Sequence, residues 1–259
     1  MHGFAEHCRR YDEFAEYLLA SGIGVSRFDA RGHGRSSGQR GYVARFEDYV
    51  EDLQEFVRQV SERSPECPLV LLGHSNGGLI AIRAVQEGLP GVRGLVVSNP
   101  LVALRAARKP VPDALARVLS WGAGRLPLPN GVRPQDLTRE PAILAALLQD
   151  PWIHRVGTPR WYWSMTMAGR AALADAERVT LPLLAVVGEL DPLVDPRGVL
   201  EFYERAASLD KQLITRRGEL HEVLNEMERR SLFALIQDWL ARVCAAPCAQ
   251  RAPSDSGIA

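Results

Sequence analysis

The sequence lacks a disulfide framework, a membrane-spanning run and an excess of charge of either sign. It has only four cysteines in 259 residues, and their scattered positions fit neither a disulfide scaffold nor a zinc cluster. No apolar stretch approaches the roughly 18 residues that a transmembrane helix needs. Thirty-one basic residues balance 31 acidic ones, which argues against a nucleic-acid-binding protein.

A secretory signal is also missing from the start of the chain. Residues 1–7 contain neither a basic start nor an apolar stretch, so they do not resemble a signal peptide. With few cysteines and no export signal, a reduced, cytoplasmic setting is the expectation.

Strand and helix patterns alternate through the first hundred residues and return near residue 180. Continuous apolar runs predict buried strands, and apolar residues at helical spacing predict helices. The predicted strands are 23–29, 68–72, 92–98, 183–187 and 212–215, and the predicted helices are 11–21, 46–63, 79–86, one after 196, and 228–243. This alternation predicts an α/β fold with a mostly parallel sheet and helices on both faces.

The alternation stops over residues 101–179. Eight prolines separate short helical pieces there, and no buried strand is evident. We therefore expect a core formed by 1–100 and 180–243, a helical cap inserted at 101–179, and a disordered tail at 244–259. The insertion carries eleven basic and six acidic residues. This surplus indicates either a solvated helical face or attraction to an anionic lipid surface.

A G-x-S-x-G pattern lies at residues 73–77, between a predicted buried strand and a predicted helix. A serine in such a turn is held in a strained conformation with its hydroxyl exposed above the sheet. The pattern predicts Ser75 as a nucleophile. The plainer alternative is a glycine turn in which Ser75 caps the helix.

A serine nucleophile needs a base and an acid that orients it, in the chain order Ser, Asp or Glu, His. His221 is the one histidine that follows the last predicted core strand, and the alternative is a surface-loop histidine. The loop after strand 183–187 offers Glu189, Asp191 and Asp195 as the acid. We expect Asp195 to cap the next helix and Glu189 to point away, which leaves Asp191.

The tetrahedral intermediate of acyl transfer needs two backbone N–H donors for its oxyanion. One donor is predicted to be Asn76, which directly follows the nucleophile. The other is predicted to be Phe4, in the loop that begins His2-Gly3. No metal or organic cofactor is required for this chemistry.

Several segments resemble the monoacylglycerol lipase and lysophospholipase branch of the α/β-hydrolases. Residues 2–11 resemble its HGxxEHxxRY loop, residues 28–38 its D-x-RGHGxSxG segment, and residues 73–78 its GHSxGG elbow. Asp150-Pro151, ahead of an aromatic stretch at 161–163, is similar to its cap segment. The resemblance implies an α/β-hydrolase fold and ester hydrolysis on a single-chain acyl lipid, either a lysophospholipid or a monoacylglycerol.

The resemblance also implies that the insertion is a lid and that Asp29, Arg31 and His33 are structural. An acyl-chain pocket needs apolar walls, and aromatic side chains of the insertion are candidates for them, although such residues more often serve packing. These candidate substrate-binding residues are Trp121, Trp152, Trp161 and Trp163. Peripheral contact with the inner face of a membrane is a further expectation.

The chain departs from this branch at its start. In the branch, one or more strands precede the HG loop, and one of them lies beside the nucleophile strand, whereas this sequence begins at the loop itself. We therefore expect either a chain that is N-terminally truncated relative to the native protein or a rearranged sheet. A missing strand leaves strand edges unpaired.

Three functions are consistent with these observations. The leading one is a serine hydrolase that cleaves an acyl lipid through an acyl-enzyme. A thioesterase or an esterase for small esters uses the same residues. A truncated, inactive chain that acts only as a binding protein is the alternative from another class.

Overall fold

The computed structural model describes residues 1–105 and 111–245. The strands are β1 (Leu69–His74), β2 (Val92–Ser98), β3 (Leu128–Pro129), β4 (Val156–Gly157), β5 (Leu183–Gly188) and β6 (Lys211–Arg216). The α-helices are α1 (Asp12–Ala20), α2 (Glu47–Arg63), α3 (Asn76–Gln86), α4 (Asp113–Gly122), α5 (Pro141–Gln149), α6 (Pro159–Ala174), α7 (Pro196–Arg205) and α8 (Arg229–Ala245).

Four of these strands form one parallel sheet in the order β1-β2-β5-β6. The strands alternate with helices along the chain, as parallel strands require, because each connection must return to the same end of the sheet. The short strands β3 and β4 pair with each other in an antiparallel arrangement outside this sheet. The predicted α/β fold with a mostly parallel sheet is confirmed.

The sheet is buried on both faces. Successive side chains of a strand point to opposite faces, so Leu95 and Val97 join a cluster with α2, α3, α6 and α7. Val96 points the other way and packs with α1 and α8. All three are fully buried, which explains why the strand sequences are continuous apolar runs and not alternating ones.

The predicted strand at 23–29 is wrong, because within the described part of the chain these residues form no strand. A strand persists only where its backbone groups pair with a neighbour. Met1 covers part of the β1 edge of the sheet: its ammonium donates to the Leu72 carbonyl (2.6 Å), and its carbonyl accepts from His74 N–H (3.0 Å). An apolar pattern reports burial and does not reveal whether a partner strand is present.

The remaining predicted elements differ from the structure mainly at their ends. Helix α3 begins at Asn76 and not at residue 79, and α1 is preceded by a 3-10 turn at Cys8–Tyr11. Helix α8 continues through Ala245, so the first two residues of the predicted tail are helical; residues 246–259 lie outside the described part of the chain.

The segment between β2 and β5 carries α4, α5, α6 and the β3–β4 pair. Its last helix, α6, is anchored to the core. Ala172 is fully buried in the main cluster, and its carbonyl accepts from the Gln86 side chain of α3 (2.8 Å). None of the helices within the described ranges is long and apolar enough to cross a membrane.

Candidate active site

Ser75 lies in the turn between β1 and α3 with φ 52° and ψ −119°, a conformation that a non-glycine residue adopts only under strain. The turn can be this tight because Gly73 and Gly77 lack side chains: a Cβ on Gly73 would overlap the backbone of Gly77, and one on Gly77 would overlap His2. The Ser75 hydroxyl does not cap α3. It is therefore available to a partner across the site.

The structure brings the three predicted residues into one chain of hydrogen bonds. His221 Nε2 lies 2.9 Å from Ser75 Oγ, and His221 Nδ1 lies 2.7 Å from Asp191 Oδ2. All three residues are buried. The other Asp191 oxygen accepts from the backbone N–H groups of Leu193 (2.7 Å) and Val194 (3.0 Å). With Nδ1–H directed to the carboxylate, Nε2 can accept the Ser75 proton.

The electrostatics of His221 combine two opposing influences. Burial lowers the pKa of the imidazole, because a low-dielectric site disfavours the charged form. The charge of Asp191 and its hydrogen bond raise the pKa, and together with smaller contributions from Glu222 and Glu6 they outweigh the effect of burial. The net pKa of His221 is raised above its ordinary value. The site therefore favours the imidazolium that forms when the serine gives up its proton.

The two other carboxylates of the acid loop have different partners. Asp195 accepts from Arg197 N–H (3.0 Å) and caps α7, as its position before Pro196 indicated. Glu189 is exposed and accepts from Gly218 N–H (2.9 Å). Neither has a described contact with His221.

The two predicted oxyanion donors belong to two segments next to Ser75. Asn76 is the first residue of α3, so its N–H is among those that have no partner within the helix. Phe4 belongs to the loop 2–7, which packs against the elbow: a Cβ on Gly3 would lie 3.1 Å from the Cβ of Ser75. Gly3 N–H donates to Glu6 Oε1 (2.5 Å), and this bond holds the loop in place.

A buried ionic network, to which the sequence analysis assigned no role, joins this loop to the histidine loop. Arg10 donates to both Glu222 oxygens (2.5 Å each) and to Glu6 Oε2 (2.6 Å). Tyr11 OH donates to Glu6 Oε1 (2.8 Å). Burial raises the pKa of Glu222, but the charge and hydrogen bonds of Arg10, with smaller contributions from His74 and Asn225, hold the pKa of that carboxyl well below its usual range. Glu6 and Arg10 are part of the HGxxEHxxRY pattern, which was a sequence signal for these two residues but not for Glu222.

Above Ser75 and His221 lies a cavity of about 420 Å³ with mainly apolar walls. The core supplies Gly3 and Phe4, and the insertion supplies most of the rest. The walls contributed by the insertion include Leu104, Val132, Leu147, Ile153, Tyr162 and Met165. A cavity of this size and polarity accommodates an apolar ligand portion next to a reactive hydroxyl.

Only one of the four candidate tryptophans lines this cavity. Trp161 does so, and its ring stacks on Phe4 with centroids 3.6 Å apart. Trp163 follows two residues later and lies about 200° further round α6, away from the cavity. Trp121 is 74% exposed under Arg160, and Trp152 lies outside the cavity under Arg35. The residues that accompany Trp161 on the cavity side are Tyr162 and Met165.

The sequence is similar to those of known lipid hydrolases along most of its length. The chain is 34% identical over 241 residues to a monoacylglycerol lipase of Mycolicibacterium smegmatis, covering 92% of this chain and 85% of that protein. It is 29% identical to the phospholipase YtpA of Bacillus subtilis, covering 90% of each.

Solved structures are similar throughout the fold. A monoacylglycerol lipase of Paleococcus ferrophilus superposes with a TM-score of 0.83 at 31% identity, covering 94% of this chain and 93% of that one. A soluble variant of the monoglyceride lipase of Saccharomyces cerevisiae, in complex with a substrate analog, superposes with a TM-score of 0.85 at 25% identity, covering 95% and 86%.

The sequence model of one family, described as "Serine aminopeptidase, S33", matches residues 1–228. The chain therefore belongs to this family, and it is an ester-cleaving serine hydrolase of the α/β-hydrolase fold, in the branch of the monoacylglycerol lipases.

Proposed function

We propose that the protein releases a fatty acid from a single-chain acyl lipid, a monoacylglycerol or a lysophospholipid, through an acyl-enzyme on Ser75. The observation that carries this proposal is the hydrogen-bonded chain Ser75–His221–Asp191 at the base of a mainly apolar cavity. The relatives named monoacylglycerol lipase and phospholipase support a lipid ester as substrate.

In the proposed acylation step, Ser75 Oγ attacks the ester carbonyl carbon while His221 Nε2 takes its proton. The carbonyl oxygen becomes an oxyanion, which the N–H groups of Phe4 and Asn76 stabilise; one such donor contributes roughly 10²- to 10³-fold to the rate. His221 then gives the proton to the leaving alcohol, and the C–O bond breaks. Asp191 keeps the imidazole oriented and stabilises its charged form.

Deacylation repeats these steps with water. His221 takes a proton from the water, whose oxygen attacks the acyl carbon, and the proton then returns to Ser75 as the fatty acid leaves. The acyl chain would occupy the apolar part of the cavity, between the core and the insertion 101–179. In this proposal the insertion acts as the lid that keeps this space dry.

The proposal includes contact with an anionic lipid surface through α4. The buried face of this helix is formed by Ala116 and Ser120, while its outward face presents Leu115, Val118 and Leu119 to solvent. Arg117 is exposed on the same helix, about 200° round from Leu115. An exposed apolar helix face on an insertion with a surplus of basic residues suits the interface of a membrane with anionic lipids.

A fluorophosphonate probe combined with a substrate panel tests the proposed function. We expect the probe to label the protein and Ser75→Ala to abolish both labelling and turnover. Among p-nitrophenyl esters, kcat/KM is expected to rise from acetyl to decanoyl chains, and monoacylglycerol or lysophospholipid is expected to be cleaved faster than an acyl-CoA. Labelling that survives Ser75→Ala would exclude the nucleophile. A preference for acetyl esters or for the thioester would favour the other esterase functions.

A further inference from the structure

Asn99 is a buried asparagine that directly follows β2 and has a φ of 41°. Its backbone N–H donates to Val186 O (2.9 Å), so the residue is fixed against β5. A positive φ is uncommon for any residue except glycine, and asparagine tolerates it better than most. This conformation lets the side chain cross the carboxyl end of the sheet.

The side-chain amide of Asn99 joins two loops of the candidate active site. Its Oδ1 accepts from Gly188 N–H (2.8 Å) at the end of β5, three residues before Asp191. Its Nδ2 donates to the His221 carbonyl (2.5 Å) and is 3.3 Å from the Leu220 carbonyl. Because β5 lies between β2 and β6 in the sheet, this one side chain spans a whole strand to reach the loop that follows β6.

We propose that Asn99 is a positioning residue for the hydrolytic reaction, one that fixes the backbone of His221 relative to the loop of Asp191. This inference rests on the proposed roles of these two residues. The imidazole must stay within hydrogen-bonding reach of Ser75 and Asp191 at once, and a displacement of about 1 Å can cost on the order of 10²-fold in rate. Asn99 bonds to the main chain of His221, and the position of the main chain sets the position of the imidazole.

Only a side chain that accepts on one atom and donates on another can make both bonds. Asparagine offers a carbonyl oxygen and an NH₂ group on the same planar amide. Aspartate accepts from Gly188 but cannot donate to His221 when ionised, and glycine keeps the positive φ but makes neither bond. These two replacements therefore separate the backbone conformation, the bond to β5 and the bond to the histidine loop.

The test compares Asn99→Gly and Asn99→Asp with a control, Gln86→Ala. Gln86 is an equally buried amide that donates to Ala172 O (2.8 Å) and accepts from Arg83, away from Ser75. We expect Asn99→Gly and Gln86→Ala to lower the melting temperature. At 15 °C, where each remains folded, only Asn99→Gly should lower kcat, by about 10- to 100-fold with KM within about threefold.

Asn99→Asp keeps the size of the side chain and the bond from Gly188 N–H. This variant tests the proposal if the glycine variant folds poorly. We expect a lower kcat and, because a carboxylate near His221 raises the pKa of the imidazole, an acid limb of the kcat/KM profile at higher pH. If both variants keep kcat within threefold of the parent while Ser75→Ala is inactive, the inference is wrong. Parent activity that survives Ser75→Ala overturns the proposed function and this inference together.

Discussion

At the scale of single residues, the pKa of His221 governs the response to pH. The imidazole must be neutral to accept the Ser75 proton, so kcat/KM falls as pH falls through this pKa. Asp191 holds the pKa above its ordinary value. In Asp191→Asn we expect this acid limb to move to lower pH and kcat/KM at neutral pH to fall by about 10³- to 10⁴-fold.

A pH profile of kcat/KM on a p-nitrophenyl ester measures both effects. Asp195→Asn is the matched control, because it removes a carboxylate four residues away and keeps a side chain that can cap α7. Its acid limb should coincide with that of the parent. An unshifted limb in Asp191→Asn would contradict the assignment of Asp191 as the partner of the imidazole.

Two adjacent arginines provide a second contrast. The Arg10 side chain is 7% exposed and pairs with two buried carboxylates, whereas the Arg9 side chain is 62% exposed and, among the described residues, pairs with Asp12. Arg10→Met should cost about 3–5 kcal/mol of unfolding free energy, because it leaves buried charge uncompensated. Arg9→Met should stay within about 0.5 kcal/mol. Urea denaturation of both variants measures the difference, and equal losses would contradict this account of the network.

The sequence predicted Ser75, Asp191 and His221 because each has a local signal: a glycine-rich elbow, the end of a buried strand, and a position after the last strand. The pairing of Arg10 with Glu222 has no such signal, since it joins residues 212 positions apart. The bridge from Asn99 to His221 spans 122 positions. Such pairs depend on the three-dimensional order of the strands, which one sequence does not display.

At the scale of elements, the proposed contact of α4 with an anionic lipid surface can be tested on its exposed face. Replacing Leu115 and Val118 by aspartate should reduce sedimentation with vesicles rich in phosphatidylglycerol by at least about tenfold, because it removes apolar contact and adds negative charge. Activity on a short soluble ester should persist. Leu235→Asp, at a 43% exposed leucine on α8, is the control and should bind vesicles as the parent does. Equal binding by all variants would exclude α4 as the contact.

Helices and strands were predictable where the spacing of apolar residues decides them, and not where hydrogen bonding to a neighbouring strand does. The apolar pattern of 23–29 leads to no strand: Ile23, Val25 and Phe28 are only half-buried, and strand formation needs a hydrogen-bonding neighbour. The tryptophans of the insertion could not be sorted for a related reason. The packing of α6 against Phe4 decides that Trp161, and not Trp163, faces the cavity, and the sequence does not show this packing.

At the scale of the whole molecule, a four-stranded parallel sheet separates two hydrophobic clusters and brings the site residues to its carboxyl edge. Ser75 follows β1, Asn99 follows β2, Asp191 follows β5 and His221 follows β6. Parallel strands end at the same side, so residues far apart in the chain meet there. This convergence was predictable from the α/β alternation, whereas the strand order and the walls of the cavity were not.

The insertion is also fastened to the loop of Phe4. Besides the stacked rings of Phe4 and Trp161, His154 N–H donates to Ala5 O (3.0 Å), and His7 Nε2 lies 2.7 Å from Asp150 Oδ2. These contacts make the placement of Phe4, a proposed oxyanion donor, depend on how the insertion packs against its loop. In the proposed mechanism, loosening the insertion at Asp150 or Trp161 would therefore slow ester cleavage even though Ser75 and His221 themselves are untouched.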